Sequence, residues 1–152
     1  MGVQMKIKNM CSEKNYKSVN ALIDKSDFDL SDEAEVIIID SNDEPINLIG
    51  YDNNCMLKLN SNDILLIESY NNNIYAKTKS VSVQIKSKLY EVELLLSQKG
   101  FIRVNKSQII NLKTIVRIKP MLNYRIKVHL EDNFIVFVSR KYYHSFIEKF
   151  KK

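Results

Sequence analysis

From Tyr124 to Leu130 the chain alternates without a break. Tyr124, Ile126, Val128 and Leu130 fall on one side of an extended backbone, and Arg125, Lys127 and His129 on the other. A period of two marks a strand with one buried face. Val81, Val83 and Ile85 repeat the pattern against Ser82 and Gln84. Short apolar runs bounded by turn formers predict further strands at Val36–Asp40, Ile46–Gly50, Met56–Leu59, Ile64–Ser69, Ile74–Lys79, Phe101–Val104 and Ile115–Ile118. Phe134–Val138 is apolar on both faces, so it is expected in the middle of a sheet, joined to Tyr124–Leu130 through the turn Glu131-Asp132-Asn133. Ser41–Pro45 and Asp52-Asn53-Asn54 read as turns. Tyr70-Asn71-Asn72-Asn73 reads as a polar loop, since Asn tolerates turn backbone.

The period lengthens to that of a helix in three places. Between Ser87 and Gln98, Leu89, Val92, Leu95 and Leu96 form an apolar stripe, with Ser87 placed to cap the start and Gly100 the end. Tyr143, Phe146, Ile147 and Phe150 recur at i, i+3, i+4 and i+7 in a helix expected from about Arg140, capped by Ser139. Val19, Leu22 and Ile23 support a short helix over Tyr16–Lys25 within an otherwise polar and weakly patterned segment. The pattern predicts a mainly β (β-rich α+β) domain over residues 51–152, with one mid-domain helix and a C-terminal helix. Residues 1–50 form a short acidic extension that is not an independent domain.

Composition narrows the function. No apolar run approaches the length needed to span a bilayer, and the N-terminus lacks the apolar core of a signal peptide, so a cytoplasmic protein is expected. Cys11 and Cys55 form no CxxC pair, and His129 and His144 lie in no ligand motif, which argues against a metal site. The nucleophile elbow, the phosphate-binding loop, GxGxxG and HExxH are all absent, so neither an enzyme nor a cofactor nor a small-molecule ligand is expected. The charge is uneven. Residues 1–60 hold six lysines against eleven acids, and residues 61–152 hold seventeen Lys or Arg against seven acids. A basic back half suits a polyanionic partner.

Three polar spots interrupt the strand framework. The first is the asparagine loop, with Asn72 and Asn73. The second is Asn105-Lys106-Ser107, after a strand, where side chains can meet phosphate or base edges. The third is Ser139-Arg140-Lys141. Cations in the first turn of a helix oppose its dipole, and a phosphate there would relieve both them and the free backbone N–H groups. Equally, Arg140 could pair with a carboxylate such as Glu131. Arg103, Lys113, Lys119, Lys127, Lys149, Lys151 and Lys152 are candidates for further phosphate neutralisation.

The segments Asp63-Ile64-Leu65-Leu66-Ile67-Glu68-Ser69, Gly100-Phe101-Ile102-Arg103-Val104-Asn105-Lys106-Ser107-Gln108-Ile109-Ile110-Asn111-Leu112 and Val138-Ser139-Arg140-Lys141-Tyr142 resemble, in order and spacing, the LytTR DNA-binding domain of bacterial regulators. The resemblance covers about residues 50–150. It implies several short antiparallel sheets, and loops that read double-stranded DNA at promoter direct repeats, often as a homodimer. By position it assigns DNA contacts to Asn72, Asn73 or Ile74, to Asn105 and Lys106, and to Arg140. Ile74 and the Asn105-Lys106 pair depart from the residues that members often carry there. The resemblance is to the stand-alone form, whose N-terminal extension adds strands and a dimer contact and which has no phosphoacceptor receiver domain. A competing expectation is a protein-interaction module or anti-activator that has lost or repurposed the DNA surface.

Overall fold

The computed structural model describes residues 5–11, 13–26, 28–34, 36–38 and 44–152. The chain divides into two compact units, residues 1–44 and 45–152. The first unit contains β1 (Lys6–Asn9), α1 (Glu13–Asp24), β2 (Asp29–Leu30) and β3 (Val36–Ile38), with β2 and β3 both parallel to the central β1. Ile7 and Ile23 are buried. β1 and β2 escape the sequence pattern because each shows a single apolar residue or a single alternation. Ile39 and Asp40 of the expected third strand, and Ser41, Asn42 and Asp43 of the expected turn, lie outside the described residues.

The second unit begins with the hairpin β4 (Asn47–Asp52) and β5 (Cys55–Asn60), then β6 (Leu66–Tyr70), β7 (Asn73–Lys77) and β8 (Ser82–Ile85). α2 (Leu89–Leu96) follows, then β9 (Phe101–Arg103) and β10 (Gln108–Asn111). These seven strands form one antiparallel sheet in the order β5-β4-β8-β7-β6-β10-β9. A second antiparallel sheet comprises β11 (Ile115–Met121), β12 (Arg125–Leu130) and β13 (Ile135–Val138), in that order, before α3 (Tyr143–Phe150). The β-rich expectation holds, as do the mid-domain and C-terminal helices.

Alternation along the large sheet sorts its side chains into two cores. Ile67, Ile74, Ala76, Val83, Ile85 and Ile109 pack with Val92 and Leu96 of α2. Leu66, Ile102, Val104 and Ile110 point the other way, against Ile126, Val128, Val136, Val138 and Phe146 of the small sheet and α3. The three-layer arrangement buries both faces of the large sheet, as its apolar runs require.

Several expectations need correction. Phe134–Val138 is not central: β13 pairs only with β12, and Ile135 and Phe137 are exposed on the outer face. Ser87 does not cap α2; Lys88 precedes it without a side-chain cap bond, although Gly100 does take the left-handed backbone (φ +83°) expected beyond the helix end. Ser139 makes no side-chain cap either. Residues 140–142 form a 3-10 turn and α3 starts at Tyr143, so Arg140 and Lys141 stand ahead of the α-helix rather than in its first turn. Phe150 is exposed, stacked on buried Phe146 at 5.8 Å, instead of lying in the core. Pro120 sits within β11, which is tolerated because β11 is an edge strand.

Candidate nucleic-acid interface

The β6–β7 connection is a two-residue turn. Asn71 (φ 47°) and Asn72 (φ 63°) both hold left-handed backbone, and Tyr70 and Asn73 pair as strand residues on either side. Two consecutive left-handed residues suit the twist of a tight hairpin, and Asn accepts that backbone more readily than most residues. Asn72 is exposed at the tip. Asn73 is half-buried in β7, where its Oδ1 accepts from Gln84 Nε2 at 3.1 Å, so it is less available than a loop residue would be. Ile74 is buried in the core that includes Val92 and Leu96 of α2.

The loop 105–107 is held from several directions. Asn105 Oδ1 accepts from the Ser107 N–H (2.9 Å) and the Ser107 hydroxyl (3.2 Å). Its Nδ2 donates to Gln108 Oε1 (2.8 Å) and to the Phe137 carbonyl (3.0 Å). All of its amide hydrogen-bonding capacity is thus engaged within the protein. Arg103, a candidate phosphate neutraliser on sequence grounds, instead binds this loop. Its Nε donates to the Asn105 carbonyl, its Nη2 to the Lys106 carbonyl, and its Nη1 pairs with Glu93 of α2 at 3.1 Å. Lys106 is left exposed at the tip.

Backbone bonds join the three spots. The Ser69 N–H at the end of β6 donates to the Ser107 carbonyl at 2.7 Å, one residue before the β6–β7 hairpin begins to turn. The Ser139 N–H donates to the Val104 carbonyl at 2.9 Å, which fixes the start of the Arg140-Lys141 turn beside the loop 105–107. Below the loops, Gln108 Nε2 donates to Glu68 Oε1 (2.8 Å), and Lys77 pairs with Glu68 Oε2 (2.5 Å). Glu131, a candidate partner for Arg140, pairs with Lys79 at 2.6 Å. Among the described residues no carboxylate pairs with Lys106, Arg140 or Lys141, and all three are exposed. Glu68 and Glu93 are taken up by Lys77 and Arg103, which leaves Lys106, Arg140 and Lys141 without a carboxylate partner among the described residues.

Sequence pattern did not single out the β11–β12 hairpin tip, which reaches the same pole because Ile126 pairs with Val138. Asn123 (φ 60°) and Tyr124 (φ 55°) form its turn, Leu122 is 88% exposed, and Tyr124 packs edge-on against Tyr143 of α3 at 5.4 Å. The cue was Leu122-Asn123, an apolar residue next to a turn former with no core partner nearby in sequence.

The layered β unit gathers exposed cations and amide-bearing turns at one end. α2 and α3 are separated by five strands and form no helix-turn-helix pair. Comparison with known proteins gives the family. The LytTr DNA-binding domain family matches residues 54–151, and the chain belongs to that family. Two HTH-type transcriptional regulators of Staphylococcus aureus, from strains MSSA476 and NCTC 8325, are 30% and 29% identical over 137 residues, covering 89% of this chain and 92% of theirs. The fold is similar to that of the LytTr DNA-binding domain of a methyl-accepting/DNA response regulator from Bacillus cereus, with TM-score 0.63 and 22% identity over 72% of this chain and 98% of that one.

Proposed function

We propose that this protein is a cytoplasmic, sequence-specific transcriptional regulator that binds promoter direct repeats in double-stranded DNA as a homodimer. The observation that carries the reading is the convergence of the β6–β7 turn, the loop 105–107 and the turn 140–142, with Lys106, Arg140 and Lys141 exposed and without a carboxylate partner among the described residues. Arg140 is the base reader, since a guanidinium bonds a guanine edge with two donors. Lys106 and Lys141 contact phosphate, and Asn72 reaches the groove from the hairpin tip. Asn73, Asn105 and Ser107 shape and hold the loops that present them.

The test is footprinting on the promoter region upstream of the protein's own gene, followed by titration of the protected duplex. Protection of two repeats about one helical turn apart supports a dimer on DNA. Arg140→Ala is expected to lower specific affinity by about 1–3 kcal/mol while leaving random-duplex binding nearly unchanged. Lys106→Ala is expected to weaken both equally and to flatten the salt dependence by about one phosphate contact. An Arg140→Ala variant that folds and binds the protected site as tightly as wild type would remove Arg140 from the interface.

A further inference from the structure

The outer face of the small sheet is built differently from the rest of the surface. Ile126, Val128 and Leu130 of β12 point into the core, so Arg125, Lys127 and His129 point out. The register then places Arg117 opposite His129, Lys119 opposite Lys127 and Met121 opposite Arg125, with Ile135 and Phe137 of β13 completing the rows. No Asp or Glu occurs in any of the three strands. Among the described residues, none of Arg117, Lys119, Arg125 and Lys127 has an ion-pair partner.

The free protein gains nothing from this arrangement. Like charges directly opposite on neighbouring strands destabilise a sheet, and Lys119 faces Lys127. The field is visible at His129, whose imidazole is held below its ordinary pKa by partial burial first and then by Arg117, Lys127 and Lys119. An anion laid across the face would relieve both effects. The spacing suits a nucleic-acid strand: successive outward rows lie roughly 7 Å apart along a strand, about two axial phosphate steps of one DNA strand. The face also abuts the loop pole. Phe137, whose side chain lies on it, has its carbonyl bound by Asn105, and β13 leads within two residues to Arg140.

We infer that the outer face of β11-β12-β13 is a sequence-independent track for the DNA phosphate backbone, flanking the segment read by the loops. The track rests on the DNA-binding reading above. It supplies affinity and salt sensitivity, and the loops supply base preference. Arg117, Lys119, Arg125 and Lys127 are its contacts, and Phe137 and Ile135 border it on the side of the loops.

The experiment uses the full chain and a labelled 30-base-pair random-sequence duplex, titrated over a range of salt concentrations. It compares wild type, Lys119→Gln/Lys127→Gln and, as a matched loss of two charges, Lys14→Gln/Lys17→Gln in α1. The sheet variant is expected to lose about two units of slope in log K against log salt, and on the order of tenfold or more in affinity at 0.1 M salt. Its melting temperature is expected to equal or exceed that of wild type, because a like-charge pair has been removed. The α1 variant is expected to keep the wild-type slope. A folded sheet variant with the wild-type slope overturns the track and leaves the loop reading standing, as does an equal loss in both variants. A wild-type protein that binds no duplex at any salt overturns the DNA reading itself, and the track with it.

Discussion

In the proposed interface Asn105 serves recognition by holding the loop rather than by meeting the DNA. Its amide closes the loop on Ser107, steers Gln108 and ties the loop to the Phe137 carbonyl of the other sheet. Each such bond is worth about 0.5–1.5 kcal/mol net. Asn105→Ala is therefore expected to lower stability by roughly 1–3 kcal/mol and to weaken specific and random duplex binding together, because Lys106 loses its platform. Thermal denaturation alongside DNA titration checks this. A variant with unchanged stability that loses only base discrimination would make Asn105 a direct reader instead. The sequence marks Asn105 and Lys106 alike as polar loop residues and does not separate the bonded amide from the exposed cation. The difference lies in partners 32 residues away in the chain.

At the level of elements, the large sheet closes tightly where β4 meets β8. A Cβ built on Gly50 would stand 2.4 Å from Val83 Cγ2 and 3.3 Å from Leu59 Cδ1. Gly50→Ala must therefore push β8 or its side chains outward, at a cost of about 1–3 kcal/mol typical of overpacking. Chemical denaturation should show the loss with the folded-state spectrum retained, and an unchanged midpoint would mean the sheet opens there easily. The strands themselves were largely legible: period two found β8 and β12, and asparagine clusters found the turns at Asn53-Asn54 and Asn71-Asn72. The place of each strand was not. β13 is apolar on both faces, which suggests a central strand. In the fold it lies at an edge, and its outer residues Ile135 and Phe137 border a basic surface instead of a second layer. Hydrophobic pattern records that a residue avoids charge, and leaves open what it faces. Likewise β10, whose Ile109 and Ile110 serve opposite cores, has no alternation to reveal it.

Over the whole molecule, the two units have opposite charge characters. Residues 1–44 hold five lysines against ten acids, and the remainder holds eighteen Lys or Arg against eight acids. The basic unit of residues 45–152 contains both cores that flank the large sheet and every residue assigned to the interface. A chain starting at residue 45 is expected to fold cooperatively and to keep its affinity for random duplex. It is also expected to dimerise less, because the resemblance noted in the sequence implies a dimer contact in the N-terminal extension. Sedimentation equilibrium and DNA titration test the two halves of that statement separately. Loss of folding in the truncated chain would show that the basic unit depends on the first, and an unchanged monomer–dimer balance would move the dimer contact into the basic unit.

The bonds from Asn105 to Phe137 and from Ser139 to Val104 also bear on synthesis. As the chain leaves the ribosome, the β4–β5 and β6–β7 hairpins, each closed by a two-residue turn, can form within microseconds of emerging. The loop 105–107 cannot be locked until β13 has been made, more than thirty residues later. An unfinished or prematurely terminated polypeptide therefore carries the basic strands without a fixed loop 105–107, and on the proposed reading a chain competes for an operator only once β13 has been made.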